Sequence, residues 1–167
     1  SPYLASYTAL DKNDILLDHL KSLYPAFNFI HTNVPPFSGI ADNSFDTVIA
    51  FQVIEHIKDD HLFVKEIERV LKPGGIALIS TPNIKLTLTR NPWHEREYTG
   101  DQLKTLLGKY FKSVETHGIT GSKRVMDYYE LNKKSVEKIT RWDIFNLQHR
   151  LPASVLRVPY DFLNRYN

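Results

Sequence analysis

The sequence predicts an α/β fold in which mostly parallel strands carry helices on both faces. Three observations lead there. Strand-like runs alternate with helix-like periods over the first two-thirds of the chain, the pattern of strand–crossover–strand units. The run Phe45-Asp46-Thr47-Val48-Ile49-Ala50-Phe51 is apolar along most of its length, as expected of a parallel strand covered on both faces. The 167 residues, 42% of them hydrophobic and 24% charged, suffice for one domain with a real core.

Each element has a local reason. Tyr7-Thr8-Ala9-Leu10 is a short apolar run ending at Asp11. Asn13 or Asp14 then caps a helix on which Leu16, Leu17, Leu20 and Leu23 recur at helical spacing, and Pro25 stops it. Phe27-Asn28-Phe29-Ile30-His31 reads as a second strand, followed by a loop with Pro35, Pro36 and Gly39. After the third strand, at 45–51, a helix is expected over about 60–71, with a stripe of Leu62, Phe63, Ile67, Val70 and Leu71. Lys72-Pro73-Gly74-Gly75 ends it, with a glycine to take the left-handed cap. Ile76-Ala77-Leu78-Ile79-Ser80-Thr81 is a fourth strand.

Residues 82–98 show no period. Thr99 and Gln102 then have the spacing of a capping box, and Leu103, Leu106, Leu107 and Tyr110 continue that helix. Val114-Glu115-Thr116-His117 alternates like a half-exposed strand, and a helical pattern returns over about 124–140. The tail, with Pro152 and Pro159, reads as one or two short helices.

Composition narrows the function. No run approaches the roughly 18 apolar residues of a membrane span, and the first residues, Ser1-Pro2-Tyr3-Leu4, have no secretory pattern. The absence of cysteine excludes disulfides, thiolate metal sites and cysteine nucleophiles, and suits a reducing cytoplasm. Residues 123–167 carry nine Lys/Arg against five Asp/Glu, whereas 1–122 carry twelve against fourteen. The basic segment suits weak contact with a membrane surface or a phosphate-bearing substrate; a solvated helix face is the simpler account. A near-neutral chain with no basic stripe does not fit nucleic-acid modification.

In parallel sheets, ligands bind beyond the carboxyl ends of the strands, so chemistry is sought there. Asp11, beside Lys12, ends the first strand, where a carboxylate can accept hydrogen bonds from ribose hydroxyls or simply cap the helix. Asn33 and Val34 follow the second strand; an amide there can pair with an adenine edge or make a turn before the prolines. Phe51 and Gln52 end the third strand, and His56 follows close by, a candidate general base or a packed histidine. Asn91-Pro92-Trp93-His94-Glu95-Arg96-Glu97-Tyr98 gathers two aromatics, a histidine, two carboxylates and an arginine, a mix suited to a substrate-orienting loop. His94 is the second candidate base and Glu95 the third. Tyr128, Tyr129 and Trp142 line an acceptor pocket or, more simply, pack. Glu55, His56 and His94 show no recognised metal-ligand spacing, so no metal is assigned.

Three segments in order carry a family resemblance: Asp42-Asn43-Ser44-Phe45-Asp46, Val53-Ile54-Glu55-His56-Ile57 and Arg69-Val70-Leu71-Lys72-Pro73-Gly74-Gly75. Together they resemble class I S-adenosylmethionine-dependent methyltransferases, most closely the small-molecule branch that includes quinone-biosynthesis enzymes. The resemblance covers about residues 7–120. It implies a Rossmann-like three-layer α/β/α sandwich with strand order 3-2-1-4-5-7-6, strand 7 antiparallel. It implies S-adenosyl-L-methionine as cosubstrate and a small-molecule methyl acceptor. Asp11 would meet the ribose, Lys12 the adenosine, and Asn33 and Val34 the adenine; Phe51 and Gln52 would border the methionine part, with His56 facing the cleft. Asn33 stands where the family often has Asp, which keeps a hydrogen-bonding group and changes its charge.

The family's first strand carries a glycine-rich G-x-G loop. None of Gly39, Gly74, Gly75, Gly100, Gly108, Gly118 and Gly121 forms one. A central strand left out would strand several ladder groups at about 1–3 kcal/mol each. The resemblance therefore predicts further residues before Ser1, with residues 1–5 as the end of the helix after that strand or part of its connection. The expected organisation is a partial cosubstrate-binding domain over 1–122 and a helical extension of it over 123–167. The rival readings are a non-catalytic domain of the same fold and a nicotinamide-dependent oxidoreductase.

Overall fold

A computed structural model describes residues 6–140 and 151–164. The expectations for residues 1–5 and for Trp142 lie outside the described residues. The chain forms two compact units, 1–79 and 80–167. Among the described residues, no helix is long and apolar enough to cross a membrane.

Unit 1 opens with β1 (Thr8–Asp11), α1 (Asp14–Leu23) and β2 (Asn28–His31). The side chain of Asn13 caps α1 by accepting the Leu16 N–H at 3.0 Å. β1 and β2 pair in parallel, with Thr8 opposite Asn28 and Asp11 opposite His31. Of the four leucines expected to form the α1 stripe, only Leu17 is buried; Leu16 and Leu23 are exposed.

β3 (Phe45–Phe51) has the predicted bounds and pairs with β4 (Leu71–Ser80). Between them run a single 3-10 turn, Ile54–His56, and α2 (Asp60–Val70), capped by the Asp59 side chain. Phe63, Val64, Ile67 and Val70 of α2 are at most 2% exposed and form the core with Ile54, Leu71 and Ala50. Among the described residues, the expected single sheet is present as two two-stranded sheets, the parallel β1-β2 and β3-β4.

Three expectations need correction. β3 is not covered on both faces: Val48 and Ala50 are covered, while Ile49 and Phe51 are more than half exposed. An apolar run tells that a strand could be buried twice, not that both neighbours are in place. No glycine caps α2, whose C-cap is Leu71 in an extended conformation. The pair instead shapes the start of β4. Gly74 holds a left-handed φ of +81°, and a Cβ on Gly75 would lie 2.9 Å from the Lys72 carbonyl oxygen and 3.0 Å from that of Asp46. Finally, residues 114–117 form no strand; 115–117 are exposed, because a single apolar residue, Val114, gives the segment no face to bury.

The loop before β3 is fastened to α2 by one guanidinium. Arg69 donates from Nε and Nη2 to both oxygens of Glu66 (2.9 and 2.8 Å) and from Nη1 to Asp42 (2.6 Å) and the Ile40 carbonyl (2.8 Å). Glu66 also accepts the Phe37 N–H at 2.9 Å. Beside it, Lys72 Nζ meets both oxygens of Asp46 at 2.9 and 2.8 Å. Residues from the first and third signature segments are therefore each other's partners: Asp42 with Arg69, and Asp46 with Lys72.

In unit 2, α3 (Gly100–Leu107) starts at the predicted capping box, with Thr99 and Gln102 bonding reciprocally. α4 (Lys123–Thr140) and α5 (Ala153–Asn164) follow. The stretch 83–98 has little regular structure, yet Asn83 and Tyr98 bridge its ends and Tyr98 is only 1% exposed.

The hydrogen bond from Arg69 holds the Glu66 carboxyl below its ordinary value of 4.5, against burial, which raises it. A depressed carboxyl stabilises fully above its unfolded value and loses that contribution as pH falls through the folded one. Arg69→Leu should lower unfolding free energy by about 3 kcal/mol at neutral pH, since it leaves the buried Glu66 without a counter-charge. Urea melts should also show that the variant loses part of the wild type's stability decline below pH ~4.5. A variant as stable as wild type at neutral pH would remove this network from its structural role.

Candidate functional site

The candidate residues of unit 1 stand at or just beyond the carboxyl ends of strands. Because β1 and β2 are parallel and in register, Asp11 and His31 end them side by side. The Thr32 N–H then donates to the Asp11 carbonyl at 3.0 Å, and His31 Nε2 lies 3.0 Å from the Lys12 carbonyl. These bonds bring Asp11 and Lys12 next to the segment carrying Asn33 and Val34. Asp11 is half-buried and accepts the Asn13 N–H on Oδ1 at 2.8 Å. The helix cap itself is Asn13, so Asp11 holds the turn and its carboxylate is oriented by it. Asn33 is exposed and Val34 half-buried, at the start of the proline loop.

Phe51 ends β3, Gln52 follows it, and both are exposed. Gln52 has φ of +56°, a left-handed backbone at a residue with a side chain. Such conformations are sparsely populated by non-glycine residues and cluster at ligand-contacting positions. Just beyond, Glu55 and His56 sit in the 3-10 turn; His56 is exposed, while Glu55 is 1% exposed. Glu55 Oε2 has no hydrogen-bond partner among the described residues. An unmet buried acceptor costs about 1–3 kcal/mol unless a donor reaches it. Nothing in the sequence marks this glutamate as buried, since its neighbours Ile54 and Ile57 would be buried in either case.

A cleft of about 450 Å³ also opens in unit 1, lined by Thr8, Asn28 and Phe45 among others. Those are the first residues of β1, β2 and β3, the amino ends. The strand tips, not this cleft, are the place where a parallel sheet presents its ligand site.

In unit 2, His94 sits in a closed polar turn. Its Nδ1 is 2.6 Å from Glu97 Oε1, and its Nε2 is 2.9 Å from Asn91 Nδ2. Glu97 Oε2 accepts from Thr87 Oγ1 at 2.5 Å. A carboxylate only accepts, so Nδ1 carries the hydrogen and Nε2 of the neutral ring accepts from the Asn91 amide. Glu97, not the exposed Glu95, is therefore the carboxylate that orients His94. The three-residue spacing of His94 and Glu97 is visible in the sequence, but a segment without periodicity does not say which of two carboxylates turns inward.

Residues 1–79 match the family model described as a methyltransferase domain. The match covers a little under half of the chain and likens this part of it to that family. A relative named as a probable S-adenosylmethionine-dependent methyltransferase, from Mycolicibacterium smegmatis, is 39% identical over 104 residues, 59% of this chain and 40% of the relative. The ubiquinone biosynthesis O-methyltransferase of Dictyostelium discoideum is 34% identical over 59 residues, 35% of this chain and 18% of that protein. The chain thus spans about two-fifths of the length of the first of these relatives. A solved structure from Bacillus halodurans, described as a putative methyltransferase, superposes with a TM-score of 0.57 at 18% identity, covering 65% of this chain and 54% of that one. At that identity the likeness establishes the fold, a Rossmann-like α/β architecture, and not the reaction.

The strain at Gln52 is measurable. Gln52→Gly should raise stability by about 1 kcal/mol, because glycine adopts the left-handed conformation without the Cβ penalty. Thermal melts of the two proteins check it. A lower melting temperature for the glycine variant would show that the Gln52 side chain contributes more to the fold than its backbone costs.

Proposed function

We propose that this chain is part of an S-adenosylmethionine-dependent methyltransferase that modifies a small-molecule acceptor at oxygen or carbon. The observation that carries the reading is the oriented carboxylate of Asp11 at the carboxyl tip of β1, within the segment that matches the methyltransferase domain model. Asp11 would accept from the ribose hydroxyls, with the Asn13 N–H fixing which way the carboxylate faces. Lys12 and the Asn33–Val34 corner would flank the adenosine, and Phe51 and Gln52 the methionine part. The left-handed turn at Gln52 supports its place in this set, because it re-aims the backbone at the end of β3.

The cosubstrate supplies an activated methyl group on a sulfonium, so the protein's task is to orient the acceptor and exclude water. A hydroxyl or an acidic carbon must also lose a proton as it attacks. His56 and His94 are the candidate bases. His94 has its Nδ1 hydrogen committed to Glu97, which leaves Nε2 as the atom able to take a proton once Asn91 yields it. The relative named for ubiquinone biosynthesis favours an aromatic, quinone-like acceptor. A cytoplasmic setting fits the cysteine-free chain.

Titration calorimetry of the full-length protein with S-adenosylmethionine tests the reading. Asp11→Ala should weaken binding about tenfold to a hundredfold, the loss expected for one or two charge-assisted hydrogen bonds. Unchanged affinity would remove Asp11 from the site, and no binding by the wild type would overturn the function. In a methyl-incorporation assay with the authentic acceptor, His94→Ala should reduce turnover about a hundredfold, the usual contribution of a general base. Its affinity for the cosubstrate should stay the same. Full activity of that variant would leave His56 as the remaining candidate.

A further inference from the structure

The polar turn of His94 is held from a distance within unit 2. Four consecutive residues, 90–93, precede it without regular secondary structure. All but one of them bond to α5 or its lead-in, more than sixty positions later in the chain. Arg90 Nη1 donates to the Leu151 carbonyl at 3.1 Å. Arg157 Nε donates to the Pro92 carbonyl at 3.3 Å, and Pro92 is among the fully buried side chains. The Arg157 guanidinium lies 4.2 Å above the centre of the Trp93 ring. Trp93 Nε1 donates to Asp161 Oδ1 at 2.9 Å.

We propose that Arg157 and Asp161 are positioning residues that clasp Trp93 and thereby hold His94 in its hydrogen-bonded turn. The two stand four residues apart, so they share one face of α5. Arg157 takes the ring face, where the π electrons attract a cation. Asp161 takes the indole N–H, the one polar handle the ring offers. The indole is thus gripped through two chemically distinct surfaces, and a residue that is merely packed needs neither. Trp93 is also covalently next to His94 and donates its own backbone N–H to Asn91 Oδ1 at 3.0 Å. Asn91 is the residue whose amide meets His94 Nε2. The chain of contacts therefore runs from α5 through Trp93 and Asn91 to the ring nitrogen that the proposed chemistry needs. Without it, ordering an irregular segment costs about 1–2 kcal/mol per residue with little to offset it.

The inference rests on the reading of His94 as an acceptor-side base, but its test does not depend on methyl transfer. Trp93 and Trp142 are the two tryptophans of the chain, so a Trp142→Phe background makes Trp93 the reporter. Acrylamide quenching of its fluorescence should rise about twofold in Arg157→Leu and in Asp161→Ala, as the ring moves from part-covered to open. In proton NMR of the same full-length proteins, the low-field Nδ1–H signal of His94, assigned by its loss in His94→Gln, should broaden or vanish in both variants. Asp161→Asn, which keeps the acceptor oxygen, and Arg157→Lys, which keeps the cation, should restore part of each signal. Unchanged quenching would overturn the clasp. Raised quenching with an intact His94 signal would overturn the positioning role. Failure of the wild type to bind S-adenosylmethionine would instead remove the methyltransferase reading and leave these two readouts to decide the clasp.

Discussion

Unit 1 depends first on the guanidinium of Arg69. A loop of prolines and small residues leads from β2 to β3, and it has almost no regular backbone pairing of its own. Arg69 supplies what is lacking: its five N–H donors, fixed in a plane, meet Glu66, Asp42 and the Ile40 carbonyl together. Lysine could meet one of these partners but not hold the fork on Glu66. Because Glu66 simultaneously accepts the Phe37 N–H, the same carboxylate ties the helix to the loop. The consequence reaches the proposed site, since β3 can deliver Phe51 and Gln52 to its tip only if its entry, at Ser44 and Phe45, is fixed. The Asn43 and Ser44 N–H groups bond to the carbonyls of Arg69 and Val70, which completes that entry.

The same network joins two of the signature segments. Asp42 and Asp46 stand in one, Arg69 and Lys72 in another, and the structure pairs them across more than twenty residues of chain. Those residues carry the family resemblance, and the contacts they make with one another set the fold. The glycines of the same segment act likewise. Gly74 supplies a left-handed backbone and Gly75 permits close approach to the Asp46 carbonyl, the start of β3. A motif can therefore identify a family through residues whose contacts are structural.

Much of the fold was legible because its signals are local. Asn13 as a cap, the Thr99–Gln102 box, the stripe of α2 and the bounds of β3 all follow from spacing and side-chain type, and the structure contains each of them. What escaped depends on partners far away in the chain. The exposure of Ile49 and Phe51 is a property of what lies over the sheet, and an apolar run is the same string either way. The segment 114–117 alternates but has no strand to pair with among the described residues. Of the candidate site, the strand-tip positions of Asp11, Phe51 and Gln52 were readable from the strand pattern. The left-handed backbone of Gln52, the burial of Glu55 and the choice of Glu97 over Glu95 were not, because none leaves a periodic trace.

The His94 turn carries this point into chemistry. A histidine can serve as a base only through a nitrogen that lacks a hydrogen, so the partner of the other nitrogen decides which atom acts. Here a carboxylate holds Nδ1, which assigns the lone pair to Nε2, and an amide already donates to that lone pair. Such a ring is preorganised but occupied. An acceptor hydroxyl would have to displace the Asn91 amide, exchanging one neutral hydrogen bond for another of similar strength, on the order of 1 kcal/mol net. On the proposed role of His94, that near-balance would let a modest gain in acceptor contacts tip the turn toward a productive pair. It also means that the segment must hold its shape while one of its bonds is given up. The anchoring of Trp93 on α5 meets that need, since it fixes the segment from outside the hydrogen-bonded circle that the substrate would open.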